Sequence, residues 1–239
     1  MPFANSPIRT DSSAIAFVMT SFEPGGTERQ MIELVRRLDH DRWAVHIVCF
    51  HAHGTWFHRV APVAASVATF PVTSFKSVDT PRHVWAFARW CRANHIAIVH
   101  TTELYSNIFG LPGAALARVP VRIGNRRELN PDKSRAQIAI QRAAYAAAHR
   151  VVANSQAAAE RLRFERVPGE KIAVIPNGLD FASYQVPSRR PRLRKVVAVA
   201  NLRPEKGHDV LIDAAVDVLR RFPEHLVLPF RHGDLQRKR

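Results

Sequence analysis

Residues Ala14 to Met19 form an unbroken apolar run that stops at Ser21-Phe-Glu-Pro-Gly-Gly26, the pattern of a parallel strand buried on both faces and running into a loop. After it, Met31, Leu34, Val35 and Leu38 recur at helical spacing. Thr27 and Gln30 stand where a capping box would, and Asp39-His40-Asp41 ends the pattern. The alternation continues with strands at Trp43 to Phe50 and Val67 to Val72, a helix from Pro81 to Asn94 opened by its proline, and a strand at Ile96 to His100. A helix from Tyr105 to Arg118, a strand at Val119 to Gly124 and an Ala-rich helix from Ser134 to His149 come next. Strands at Arg150 to Asn154 and Lys171 to Ile175 then flank a helix from Ser155 to Phe164. Strand and helix taking turns in this way predict βαβ units and a doubly wound α/β domain on a parallel sheet.

Between Tyr184 and Lys195 the chain becomes rich in Pro and Arg and poor in apolar residues, as interdomain connections are. The expected division is a first Rossmann-like domain over residues 1–184, a linker at 185–194 and the start of a second over 195–239. Val196 to Ala200 predicts its first strand. Leu211, Ala214, Ala215, Val218 and Phe222 share one face of a helix, and His225 to Leu228 reads as another strand. About two strands fall short of the roughly five or six that an open sheet covered on both faces needs, so a truncated second domain is expected.

Composition narrows the partners. In 239 residues, Lys and Arg outnumber Asp and Glu by 35 to 20, a formal charge of +15 that favours anionic ligands. The Arg pairs are dispersed and no nucleic-acid motif accompanies them, so nucleic acid is not an expected partner. Cys49 and Cys91 form no metal-type or disulfide spacing, which fits a reducing cytosol, and the early apolar run is too short for a signal-peptide core or a bilayer span. The expected location is cytoplasmic, with a peripheral contact at the anionic inner membrane surface in reach of the charge.

Three segments carry candidate chemistry. Gly25-Gly26-Thr27-Glu28 sits between strand and helix, where glycines admit a ligand and free helix N–H groups favour an anion; the same residues also read as a tight turn capped by Thr27. The spacing is not GxGxxG, which weighs against a dehydrogenase. Ile175-Pro-Asn-Gly-Leu-Asp180 follows a strand and combines turn chemistry at Asn177 and Gly178 with exposed backbone at a carboxyl end. Val199 to Gly207 places Arg203 and Lys206 beside a helix start, an arrangement that suits a diphosphate or, equally, a solvated basic loop. His100 ends a strand, where such folds gather ligands and where a neutral imidazole can also satisfy backbone.

In this order and spacing the segments resemble the GT-B-type retaining glycosyltransferases of family 4. The resemblance rests on Ile175-Pro-Asn-Gly-Leu-Asp180, Pro204-Glu-Lys-Gly-His-Asp-Val-Leu-Ile-Asp-Ala214, Val99-His-Thr-Thr102, Arg150-Val-Val-Ala-Asn-Ser155 and Gly25-Gly-Thr-Glu28. It implies a GT-B-like pair of Rossmann-like domains facing a cleft, with acceptor held mainly by the first and a nucleotide-diphosphate sugar mainly by the second. It implies no metal and no cofactor, the leaving diphosphate being stabilised by positive side chains and backbone N–H groups. Lys206 is the first candidate for that role, with Arg203 and Gly207 beside it. Gly25 and Gly26 would approach donor phosphates or acceptor from the opposite wall, and Asn177 and Gly178 would lie near the hinge.

The chain departs from the family pattern in three places. Asn201 stands where an Arg is usual, which leaves Arg203 as the candidate substitute. Asn125-Arg126-Arg127-Glu128 stands where a His is usual, so Arg126 becomes either an anion contact, and with His100 a candidate catalytic side chain, or a surface residue. The family's acidic motif would follow residue 239, and Glu205 and Glu224 come too early to replace it. The expected function is hexosyltransferase-like transfer, weak or absent in this chain alone, to a glycan, lipid-linked or small-molecule acceptor. The alternative is a non-catalytic module binding anionic glycans or lipids.

Overall fold

The structure, a computed structural model, describes residues 13–75, 77–129, 133–180, 195–200, 206–222 and 226–230. It divides into two compact units, Met1–Leu179 and Asp180–Arg239; the expected linker lies outside the described residues.

In the first unit the apolar runs form β1 (Ser13–Met19), β2 (Trp43–Cys49), β3 (Ser66–Thr69), β4 (Ile98–Thr101), β5 (Val121–Arg126), β6 (Arg150–Ala153) and β7 (Ile172–Val174). They make one sheet in the order β3-β2-β1-β4-β5-β6-β7, with every pairing parallel. Parallel neighbours need crossovers rather than hairpins. Helices α1 (Gly26–Arg37), α2 (Thr80–Ala93), α3 (Leu104–Leu116), α4 (Arg135–Ala146) and α5 (Gln156–Phe164) supply most of them, and two short 3-10 turns carry β2 to β3. The strand order reverses between β1 and β4, so a crevice opens beyond their carboxyl ends.

Alternation along the central strands explains their unbroken apolar pattern. Ile15, Phe17 and Met19 of β1, with Val45, Ile47 and Cys49 of β2, pack under Met31, Ile32 and Val35 of α1. Ala16, Val18 and Val48 face the other way, against Phe87 and Cys91 of α2 and Phe109 and Ala114 of α3. Helix α3 lies so close to the sheet that a Cβ on Gly110 would stand 2.7 Å from Thr101 Cγ2. A third cluster, including Leu111, Tyr145, Val151 and Leu162, joins α3, α4, β6 and α5.

Two local expectations change. Strand β5 starts and ends two residues later than its apolar pattern suggests. Arg118 adopts a left-handed φ of 61° and the Val119 N–H closes back onto Ala114, so these residues finish α3, while Asn125 and Arg126 pair with Val152 and Ala153. The Thr27–Gln30 capping box does not form: Gly25 is the N-cap without a side-chain cap, and Gln30 is engaged across the fold.

The second unit contains β8 (Lys195–Val199) and β9 (Leu226–Phe230), paired in parallel, with α6 (His208–Arg221) between them. No residue of α6 is buried among those described, and Val210, Ile212, Val216 and Val218 are exposed. Of the expected apolar face, Leu211 and Ala215 are half-buried. No described helix is long and apolar enough to cross a membrane.

Candidate functional site

Four segments meet beyond the sheet's carboxyl ends: the loop from β1 into α1, the turn after β4, the end of β5 and the stretch after β7. The first is pinned at its base. Phe22 is fully buried, its carbonyl accepts the Trp56 N–H at 2.8 Å, and the Glu23 carboxylate accepts the Thr55 hydroxyl at 2.8 Å. Gly25 has φ −154°, extended backbone open to any residue, so its glycine supplies room instead of flexibility: a Cβ there would run into the Glu28 carboxylate. Gly26 is exposed, with nothing near its missing side chain.

Glu28 folds back to hydrogen bond its own backbone N–H in the first turn of α1. Burial raises its carboxyl above the ordinary range, that hydrogen bond opposes the rise, Glu103 adds to it and Arg127 opposes it. Glu103 does the same service for α3, accepting from the N–H groups of Tyr105 and Ser106, each at 3.0 Å, while Ser106 Oγ accepts from the Glu103 N–H at 2.8 Å. Burial raises this carboxyl too, against the pull of those hydrogen bonds and one from Thr20. Each helix N-terminus at the crevice thus carries a carboxylate of its own, where an anion would otherwise be favoured.

His100 lies in β4, in register with Phe17 and Ile123, its ring 5.3 Å from that of Phe17. Its Nε2 is 3.0 Å from Nδ2 of Asn125, a side chain 1% exposed. Asn107 holds the Asn125 backbone from both sides, accepting its N–H at 3.2 Å and donating to its carbonyl at 2.9 Å. Burial pushes His100 down to about 4, and the positive charge of Arg127 adds to the shift, so the ring is neutral at pH 7.

Arg126 is neither a surface residue nor an anion contact. It is 1% exposed, and its five N–H donors meet five acceptors. Both oxygens of Glu165 lie at 2.9 and 3.0 Å, Gln141 Oε1 at 3.1 Å, and the carbonyls of Glu128 and Leu129 at 2.6 and 3.0 Å. Its work is to tie the loop after β5 to α4 and to the end of α5. The candidate that sequence reasoning missed is its neighbour Arg127, half-buried, whose charge reaches both Glu28 and His100. Glu28 was in view within the Gly-Gly-Thr-Glu string. Gln30 was in view only as a helix cap and Asn125 only as a departure from the family pattern, and Glu103 carried no signal of its own.

Asn177 and Gly178 are exposed and turned back onto the first unit. Asn177 Oδ1 accepts from the Arg127 guanidinium, and Gly178 is held through both its N–H and its carbonyl by Gln30. In the second unit Lys206 is exposed, and Gly207 is the N-cap of α6 at φ 61°, ψ 38°, a left-handed conformation that favours glycine. Arg203, like Glu205 and Glu224, lies outside the described residues.

The fold and its switch-point crevice define a doubly wound α/β domain of the kind that binds ligands at the carboxyl ends of its strands. The chain belongs to Glycosyltransferase Family 4, whose sequence profile it matches over residues 24–183. No curated protein matches it by sequence. Among solved structures it is similar to HepE of Anabaena in complex with UDP and glucose, at 20% identity and a TM-score of 0.73, covering 90% of this chain and 60% of that one. It is also similar to a glycosyltransferase from Rickettsia africae, at 14% identity and a TM-score of 0.68, covering 92% and 68%. The lipopolysaccharide outer core galactosyltransferase WaaB is similar at 14% identity and a TM-score of 0.65, covering 93% and 70%. The chain therefore spans 60% to 70% of the length of these proteins.

Proposed function

We propose that this chain serves an enzyme that transfers a sugar, with retention, from a nucleotide-diphosphate sugar to a glycan, lipid-linked or small-molecule acceptor. The family match over residues 24–183 carries this reading, and the presence of UDP and glucose in the structure of HepE supports a nucleotide-sugar donor. In this reading the crevice of the first unit receives the acceptor: Glu28 and Glu103 accept hydrogen bonds from its hydroxyls, and Arg127 supplies positive charge. Gly26 keeps the approach to α1 open. Lys206, with the positive end of the α6 helix dipole, stabilises the leaving diphosphate without a metal or cofactor. The test is calorimetric titration of the chain with UDP and UDP-glucose, followed by assay of nucleoside diphosphate release over a panel of acceptors. Binding that Lys206→Ala abolishes supports the reading; undetectable binding of every nucleotide sugar tried overturns it.

A second reading draws on α2. Arg82, Trp85 and Arg89 share its outward face, with Trp85 53% exposed and the Arg89 guanidinium 4.9 Å from its ring centre. A cationic face with an exposed indole suits an anionic lipid or glycan surface, in keeping with a cytoplasmic protein that touches the inner face of the membrane. Sedimentation with phosphatidylglycerol vesicles, abolished by Arg82→Glu with Arg89→Glu, would support it; equal sedimentation with neutral vesicles would sink it.

A further inference from the structure

The position of one buried amide decides which chemistry His100 can perform. Asn125 Nδ2 lies 3.1 Å from the Thr101 carbonyl oxygen and 3.0 Å from His100 Nε2. A carbonyl oxygen only accepts, so the end of the amide that faces it must be the NH2 group. Reversing the amide would set two acceptor oxygens against each other. With one amide proton committed to Thr101, the second has His100 Nε2 at 3.0 Å and the weak acceptor Met31 Sδ at 3.9 Å within reach, and the far nearer Nε2 accepts it. A neutral imidazole that accepts at Nε2 carries its proton on Nδ1. Among the described residues Nδ1 makes no hydrogen bond, so that donor is left for a ligand. The orientation leaves Asn125 Oδ1 buried without a partner. That acceptor is given up to keep the two donations.

We propose that Asn125 is a positioning residue that locks His100 in the Nδ1–H tautomer, so that His100 serves the crevice as a neutral hydrogen-bond donor to an oxygen of the bound acceptor sugar. The acceptor half of this statement rests on the glycosyl-transfer reading above; the tautomer half does not. A proton on Nε2 would confront the Asn125 NH2, donor against donor, which opposes the imidazolium in addition to burial and the Arg127 charge. His100 therefore neither collects a proton at Nε2 nor cycles between acid and base during turnover.

The test is ring-nitrogen NMR on the 15N-labelled chain without ligand at pH 7. The expected pattern for His100 is a protonated, pyrrole-like Nδ1 and an unprotonated, pyridine-like Nε2; the reverse pattern overturns the proposal. Asn125→Asp replaces the donor with an acceptor, so the tautomer should invert and the pKa of His100 should rise by more than one unit. An unchanged tautomer in a folded Asn125→Asp protein also overturns it, and should that variant fail to fold, the measurement on the unaltered chain still decides. Methyl β-glucoside is then added together with UDP-glucose. A downfield move of the Nδ1 proton supports the ligand contact, whereas a silent His100 ring while other crevice resonances shift overturns it. Absence of any nucleotide binding would count against the glycosyl-transfer reading and leave the tautomer result standing.

Discussion

Gln30 grips Gly178 with both ends of its amide: Nε2 donates to the Gly178 carbonyl at 2.8 Å, and Oε1 accepts the Gly178 N–H at 2.9 Å. One side chain of α1 thereby pairs with a peptide group as a neighbouring strand would, and it does so across 148 positions of sequence. Gln30→Ala should release the stretch after β7. At about 0.5–1.5 kcal/mol for a hydrogen bond of this kind, amide exchange at Gly178 is expected to accelerate several-fold, while exchange in β1 stays unchanged. Equal protection at Gly178 in both proteins would show that the grip contributes nothing.

Removing the carboxylate charge of Glu165 should be far more damaging. Arg126 has no other carboxylate among its five partners. In Glu165→Gln a buried guanidinium is left uncompensated, at a cost of about 3–5 kcal/mol. Urea denaturation measures it. A loss under about 1 kcal/mol would mean that water reaches this pair.

Arg127→Ala separates the two neighbouring arginines by function. Arg127 is half-buried and its guanidinium meets Asn177, so stability should change by less than about 1 kcal/mol. Its charge depresses His100 and holds Glu28 down, so both groups should titrate at higher pH in the variant, as seen by NMR. Where the acceptor occupies the crevice, the hydrogen bond lost with Arg127 is worth roughly 1.5–3 kcal/mol, and acceptor affinity should weaken about tenfold or more.

Acid should destabilise the first unit through its histidines. His100, at about 4 when folded against an ordinary 6.5, and His46, also lowered by burial, bind fewer protons folded than unfolded. Their contribution is complete above about 6.5 and is lost as pH falls toward the folded value; for His100 it is on the order of 3 kcal/mol. Glu28 and Glu103, raised by burial, act in the opposite sense, since protonation favours the folded chain. The urea midpoint should therefore drop between pH 7 and pH 5, and His100→Gln should flatten that slope. A slope unchanged by His100→Gln would refute the neutral imidazole.

Much of the architecture was legible in the order of residues. A strand covered on both faces must be apolar at every position, and Ala14 to Met19 is; a helix covered on one side must repeat its apolar residues every three or four, and Met31 and Val35 do. Such local patterns determined the βαβ alternation, the glycine turn at the crevice and the strings shared with Glycosyltransferase Family 4. They did not determine which arginine serves the site. Successive side chains of a strand point to opposite faces, so the fates of Arg126 and Arg127 turned on the register of β5 against β6, a pairing of residues 27 positions apart. The same holds for Gln30, read as a cap and found holding Gly178, and for Asn125, whose amide is aimed by a carbonyl on β4. Backbone elements follow from local pattern because their hydrogen bonds and burial repeat with short periods. A side chain's partner at the crevice depends on which segments the sheet brings side by side, and only the folded chain decides that.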